Sequence, residues 1–284
     1  MLYMRHSSLV IEEVVRMRVG GQTLGEIVSK TGLSKTTVFH HIQKLPKSSL
    51  LHDRLKVVAI ANQKINADNR RGKTLKKYSF KKPERWDPGF VKLMAHFLFD
   101  GQLSKSWCGY NSRNSILIKT VTDGMKIHLN VDDYKTYFNN KTGVTRVAYH
   151  NVEVADFIRG KIDELLKYIP TEPLKNKISF LKAFFDDEGC ITFKNGERAV
   201  RGYQHSSKIL KIIKQLLSDI GVESKIDEKY SEINIGRKEN IIKFKKLINF
   251  TPGIKVNGNR SNSIWKKHLE KREILKMAID SYLN

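Results

Sequence analysis

Two apolar stretches of this chain end in an acid followed by glycine: LMAHFLFDG, Leu93 to Gly101, and FLKAFFDDEG, Phe180 to Gly189. With the chain aligned on the two glycines, Leu93 matches Leu181, Ala95 matches Ala183, Phe97 matches Phe185 and Asp100 matches Glu188. A repeat at domain spacing constrains the fold more than any single motif, because whatever one copy builds the other builds again. Strand-like text follows each ending, LSKSWCGYN in the first copy and CITFKNGERAVRGYQ in the second, where Asn195-Gly196 is a hairpin-turn signal. A helix is expected next, over Ser115 to Asp123 and over Ser206 to Ile220. Then comes a strand pair, YKTYFNN with VTRVAYHN and VESKIDEK with YSEINIGR, and a closing helix, Val152 to Tyr168 and Glu239 to Asn249. The second copy adds a helix from about Trp265 to Tyr282. Each copy therefore reads αββαββα. Outside the endings the copies share few residues, so the duplication rests on element order.

On a helix, Leu93, Phe97 and Asp100 share one stripe, as do Leu181, Phe185 and Glu188. Packing along these stripes, with Ala95 and Ala183 permitting close approach, would bring Asp100 and Glu188 together at the floor of a cleft. Each acid already sits at the negative end of a helix dipole, and two carboxylates at short range repel, so a proton or a cation must intervene. Mg²⁺ or another divalent cation answers this, since it accepts carboxylate, main-chain carbonyl, water and phosphate oxygens together. Candidate ligands are Asp100 and Glu188 with Gly101 and Gly189, the glycines being expected at positive φ just past the helix ends. Alignment selects Glu188 within its cluster, with Asp187 second, and helix rotation points Asp186 and Asp187 elsewhere.

Charge names the class of partner. The chain carries 52 Lys and Arg against 29 Asp and Glu, a formal charge of +23, which suits a polyanion. No apolar run is long enough to span a membrane and MLYMRHSS lacks the apolar core of a signal peptide, so no membrane role and an intracellular location, cytoplasmic or nucleoid-associated, are expected. Cys108 and Cys190 form no CxxC pair, which argues against zinc or a disulfide framework and reads as buried free thiols.

At the N-terminus, TLGEIVSKTGLSKTTVFHHIQKL has a capping box, Thr23 with Glu26, and a glycine, Gly32, placed for a left-handed helix stop. Ser34 can cap a second helix that runs to Pro46. After an amphipathic helix from about Leu9 to Val19, this resembles a helix-turn-helix, although a plain three-helix packing module would read similarly. In a helix-turn-helix the second helix enters the major groove, which here would offer Lys35, Thr36, Thr37 and His40 to base edges. The following RRGKTLKKYSFKKPER, Arg70 to Arg85, has eight Lys or Arg against one Glu and no clean period. The expected division is thus a helix-turn-helix domain over 1–50, a basic linker over 51–86, and repeats over 87–174 and 175–284.

The two endings at repeat spacing, with QHSSKILKIIKQLLSDIGV after the second, resemble the paired signature of LAGLIDADG proteins, chiefly homing endonucleases, from Asp87 to the C-terminus. The resemblance implies an α+β fold: two pseudo-symmetric αββαββα repeats forming a saddle, here preceded by a small all-α domain, in a monomer with pseudo-twofold symmetry. It also implies a site-specific endonuclease that cuts both strands of double-stranded DNA with divalent ions held by Asp100 and Glu188. Tyr110, Asn111 and Arg113 in the first copy, and Lys194, Arg198, Arg201 and Gln204 in the second, are candidate nucleic-acid contacts, with strand phase left open. Two other uses of the scaffold stay open: a maturase bound to intron RNA, and a DNA-binding transcriptional regulator without cleavage.

Overall fold

The structure, a computed structural model, describes residues 7–46, 48–70, 79–194, 196–259 and 264–282. The chain divides into two compact units, Met1–Tyr78 and Ser79–Asn284.

The first unit is helical. It contains α1 (Ser8–Val19), α2 (Leu24–Thr31), α3 (Lys35–Ile42) and α4 (Ser49–Arg70). The Thr23 hydroxyl accepts from the Glu26 amide while Glu26 returns a bond to the Thr23 amide, which closes the capping box. Gly32 leaves α2 at φ +68°, a conformation that costs glycine nothing. Ser34 caps α3, and Val14, Ile27, Val38 and Ile42 form the buried core. Residues 51–70, expected as the first part of a basic linker, are helix instead. The Ser48 hydroxyl caps α4 at Leu51, Leu51 is fully buried, and Arg54 bonds the Gly21 carbonyl and the Glu26 carboxylate. The rest of the basic stretch up to residue 78 lies outside the described residues, and 79–87 is irregular chain.

The second unit carries the repeats. The first runs α5 (Pro88–Phe99), β1 (Gly101–Leu103), β2 (Cys108–Ser112), α6 (Ser115–Gly124), β3 (Lys135–Asn139), β4 (Val144–Tyr149) and α7 (Val152–Tyr168). The second runs α8 (Leu174–Glu188), β5 (Gly189–Lys194), β6 (Glu197–Tyr203), α9 (Ser207–Asp219), β7 (Lys225–Asp227), β8 (Glu232–Ile235) and α10 (Lys238–Leu247). A last helix, α11 (Lys271–Asp280), follows. It starts later than the sequence suggests because Glu270 pairs with Lys255 in a bridge and then opens the helix through a capping box with Glu273. Both sheets are antiparallel with the same order, β1-β2-β4-β3 and β5-β6-β8-β7. Lys194 pairs with Glu197, so the β5–β6 connection has the length of a two-residue hairpin; Gly196 sits at φ +79°, and Asn195 lies outside the described residues.

Helices α5 and α8 pack against each other, but not along the expected line. Leu93 faces Gly124 of α6 and the Phe185 ring lies 4.8 Å from that of Phe244 in α10, so the Leu-Phe stripe of each helix serves its own repeat. The contact between helices runs instead through Phe99, whose ring lies 5.4 Å from Phe180 and 5.0 Å from Phe184, and through His96, which meets Asp187. Phe99, Phe180 and Phe184 thus fill this seam where the Leu93–Phe97 and Leu181–Phe185 stripes were expected. Among the described residues, no helix is long and apolar enough to cross a membrane.

Candidate catalytic cleft

Asp100 ends α5 and Glu188 ends α8, and the next residue in each case opens a strand. The glycines there are not in the left-handed region; Gly189 has φ −81°. What demands glycine is space, because a Cβ at Gly101 would lie 2.0 Å from the Phe97 carbonyl oxygen and one at Gly189 would lie 2.3 Å from that of Phe185. The chain turns from helix to strand so tightly that only a hydrogen fits. That turn leaves Asp100 and Glu188 lining one cleft of about 2090 Å³. Small-molecule pockets run to about 1,000 Å³, so a space of this size suits a polymer.

Burial, then the Asp187 charge, pushes the Asp100 carboxyl up to about 7. Burial, then the charges of Asp100 and Asp187, pushes Glu188 up to about 7 as well. Burial thus favours the neutral form of each acid, and the neighbouring carboxylates add to it. The remaining acids of the cluster are occupied. Asp186 accepts from the Thr251 amide at 2.7 Å and hydroxyl at 2.6 Å, and Asp187 accepts from the Tyr110 hydroxyl at 2.6 Å and is 2.9 Å from His96 Nδ1. Lys92 of α5 lies in the field of Asp186 and Asp187, and Lys271, at the start of α11, donates to the carbonyls of Asp186 at 2.7 Å and Phe185 at 3.3 Å. It caps the negative end of α8, and burial holds its pKa below the usual lysine range. Its charge lowers the proton affinity of both Asp100 and Glu188.

The profile of the LAGLIDADG-like domain matches residues 175–251, which run from α8 through α10. Over these residues the chain is similar to that family. Solved structures that resemble the chain include the following two. The homing endonuclease I-DmoI, in complex with DNA and Mn, is 18% identical with a TM-score of 0.45, over 58% of this chain and 97% of that one. The N-terminal LAGLIDADG domain of WhiA is 14% identical with a TM-score of 0.45, over 58% of this chain and 84% of that one. A comparison with curated proteins gives no match.

The expected contact residues separate by strand phase. In β6 the alternate residues Glu197, Arg201 and Tyr203 line the cleft, while Val200 is buried beneath and Gly202 lies against the Phe184 and Phe185 rings. Arg201 thus reaches the cleft wall with Lys194, and Arg198 does not. Its guanidinium bonds the Ser281 hydroxyl and carbonyl and stacks 4.5 Å from Tyr282, which anchors the end of the chain. Gln204 accepts from the Ser206 amide ahead of α9. In the first repeat Asn111 and Arg113 line the cleft, but Tyr110 is fully buried and its bond to Asp187 joins the two repeats, so it is no surface contact. In the first unit Lys35, Thr36 and His40 are exposed on α3, while Thr37 is tied to Ser34. Cys108 is buried as expected; Cys190 is exposed on the cleft wall.

Two residues at the site were invisible as such in the sequence. His96 was a polar residue inside an apolar helix, which is a usable signal. Lys271 sits in ordinary helix text far downstream and carries none.

Proposed function

We propose that the chain is a site-specific double-stranded DNA endonuclease that uses divalent ions. The observation that carries this reading is the state of two carboxylates, Asp100 and Glu188, half-buried at one cleft, each raised to about 7, with their acidic neighbours bonded elsewhere. No group of three His, Cys, Asp or Glu side chains able to hold a metal occurs among the described residues. Two carboxylates alone fit a hard ion that takes its other oxygens from water, phosphate and main-chain carbonyls, Gly101 and Gly189 among the latter. Bound there, such an ion supplies Lewis-acid stabilisation and a water of lowered pKa.

The chain's own groups have separate tasks. Asp100 and Glu188 hold charge at the cleft floor, one from each repeat, so each is placed for one strand of a duplex. Tyr110 and His96 keep Asp187 from swinging into the site, and Lys271 keeps the pair ready to lose its protons near neutral pH. The formal charge of +23 supplies affinity for phosphate, and the exposed face of α3 supplies a second contact surface for DNA.

The test is cutting of a duplex library in Mg²⁺ by the protein and by Asp100→Asn and Glu188→Gln. Cutting should fall by at least about 10²-fold in both variants, while duplex affinity holds or rises, because a carboxylate repels phosphate. Binding without cutting, indifferent to either acid, would leave a DNA-binding regulator as the function and end the nuclease reading.

A further inference from the structure

Strand register lets the two sheets be compared position by position. Gly101 pairs with Tyr110 and Gly189 with Gly202, so the next residues, Asn111 and Tyr203, correspond. In the first sheet the row across the strands reads Asn111, Arg146, Tyr137. The same row in the second reads Tyr203, Glu232, Asp227. Cross-strand partners share a face, and this is the face opposite the buried Tyr110, Val147, Val200 and Ile235. Where one repeat puts a guanidinium, the other puts two carboxylates. The rest of each face follows suit. The first sheet adds Lys135 and no acid, whereas in the second Lys194, Arg201 and Lys225 are balanced by Glu197, Asp227 and Glu232.

Arg146 is also the less committed arginine. Its guanidinium is held 4.8 Å from the Tyr137 ring and 5.5 Å from the Trp107 ring, and its contact with Gln102 Oε1 is long at 3.5 Å; among the described residues its Nε, like that of Arg201, has no hydrogen-bond partner. Arg201 is ion-paired with Glu197. Glu232 lies 3.9 Å from Arg201, too far for a hydrogen bond, so its oxygens keep acceptor capacity.

We infer that the two sheets read opposite hydrogen-bond chemistry in the major groove of one duplex, Arg146 donating to a guanine in one half-site and Glu232 accepting from the amino group of a cytosine in the other. The inference rests on the DNA-cutting reading above. A planar donor fork matches guanine O6 and N7, and a carboxylate matches cytosine N4. An acid on such a face repels phosphate, and Glu232, held loosely by Arg201, keeps an oxygen for a base donor. The A-form major groove is too deep and narrow for either contact, which selects DNA over duplex RNA. The half-sites are then not interchangeable, and the duplex binds in one orientation.

The test is selection of bound sequences from a randomised duplex library in Ca²⁺, with the protein, Arg146→Lys and Glu232→Gln. Arg146→Lys keeps the charge and loses the fork, so guanine preference at one position should fall on the order of tenfold with the salt dependence unchanged. Glu232→Gln should relax a cytosine preference in the other half-site alone. If the protein cuts specific sites but both variants keep its sequence profile, or weaken all sequences alike, the nuclease reading stands and the base assignment is overturned. If no sequence is enriched and none is cut in Mg²⁺, the function itself fails first. Tighter binding of a folded RNA than of any duplex overturns both.

Discussion

In the first repeat α5 ends in one carboxylate, Asp100, whereas α8 in the second ends in three, Asp186 to Glu188, with Lys271 beneath them. The frames around these ends are the same: the same element order, the same strand order, and a glycine with no room for a Cβ at the helix-to-strand turn. The chemistry is not. In the second repeat the extra acids bind Thr251 within the repeat and His96 and Tyr110 across the seam, and the buried lysine offsets their charge. Even so, Asp100 and Glu188 arrive at the same proton affinity, about 7. Duplication fixes the backbone path, while burial and a different set of neighbours raise each acid.

If the frames are equivalent, breaking them should cost alike. Gly101→Ala and Gly189→Ala each force a Cβ onto a helix carbonyl oxygen, at 2.0 Å and 2.3 Å, and the obstacle is backbone that cannot rotate away. Each should lose about 3 kcal/mol or more in urea unfolding, with Gly101→Ala the worse. Tolerance of Gly189→Ala beside collapse of Gly101→Ala would show that the two turns only look alike.

Lys271→Met tests the opposite expectation, that the compensation belongs to one repeat. Methionine keeps most of the volume but leaves the α8 carbonyls and the nearby carboxylates without their cation, a loss of about 2 to 3 kcal/mol. Because Lys271 holds down the proton affinity of both Asp100 and Glu188, the variant should also release those two protons at higher pH, read from the carboxyl resonances in an NMR titration. An unchanged titration would mean that the lysine acts on helix stability alone.

The matched proton affinities predict how stability follows pH. Free in an unfolded chain the two carboxyls titrate near 3.8 and 4.5, while in the folded protein both are raised to about 7, so between those values the folded state binds more protons. Stability of the metal-free protein therefore falls as pH rises from about 4.5 to 7 and levels off above, by on the order of 2 kcal/mol after allowing for partial exposure. Asp100→Asn should flatten most of that slope. A flat profile in thermal melts would place the acids in solvent, and a slope of the opposite sign would place them in ion pairs.

The duplicated frame was legible in the sequence because turn residues and hydrophobic periods are local: the Val152–Tyr168 helix and the Ser34 cap need nothing beyond their own text. Asp100 and Glu188 were legible as a pair because alignment on the glycines needs no distances. The rotation of α5 against α8 was not legible. Leu93 and Phe97 satisfy a helical stripe whichever neighbour they face, and only the packed structure shows that Phe99 and His96 make the seam. Strand phase had the same limit, so Arg198 and Tyr110 read as surface residues although one anchors the last helix and the other is buried. Lys271 joins the site through contacts with α8, a separation that no local pattern encodes.

The smallest contrast concerns two helix starts. Ser206 caps α9, its hydroxyl accepting from the Ile209 amide at 3.5 Å, whereas Asn114 at the corresponding start of α6 makes no such bond and instead accepts the Lys255 amide at 2.9 Å. The first residue stabilises its own helix; the second ties the segment before α11 to the first repeat. Ser206→Ala and Asn114→Ala should each cost only about 0.5 to 1 kcal/mol, so stability alone cannot tell them apart. Amide exchange can. Asn114→Ala should release the Lys255 N–H and leave α6 protection unchanged, while Ser206→Ala should speed exchange in the first turn of α9 and leave Lys255 alone. Equal exchange at Lys255 in both variants would mean that the tie between the repeats is held elsewhere, with Gly253, packed against Ile116, as the next place to cut it.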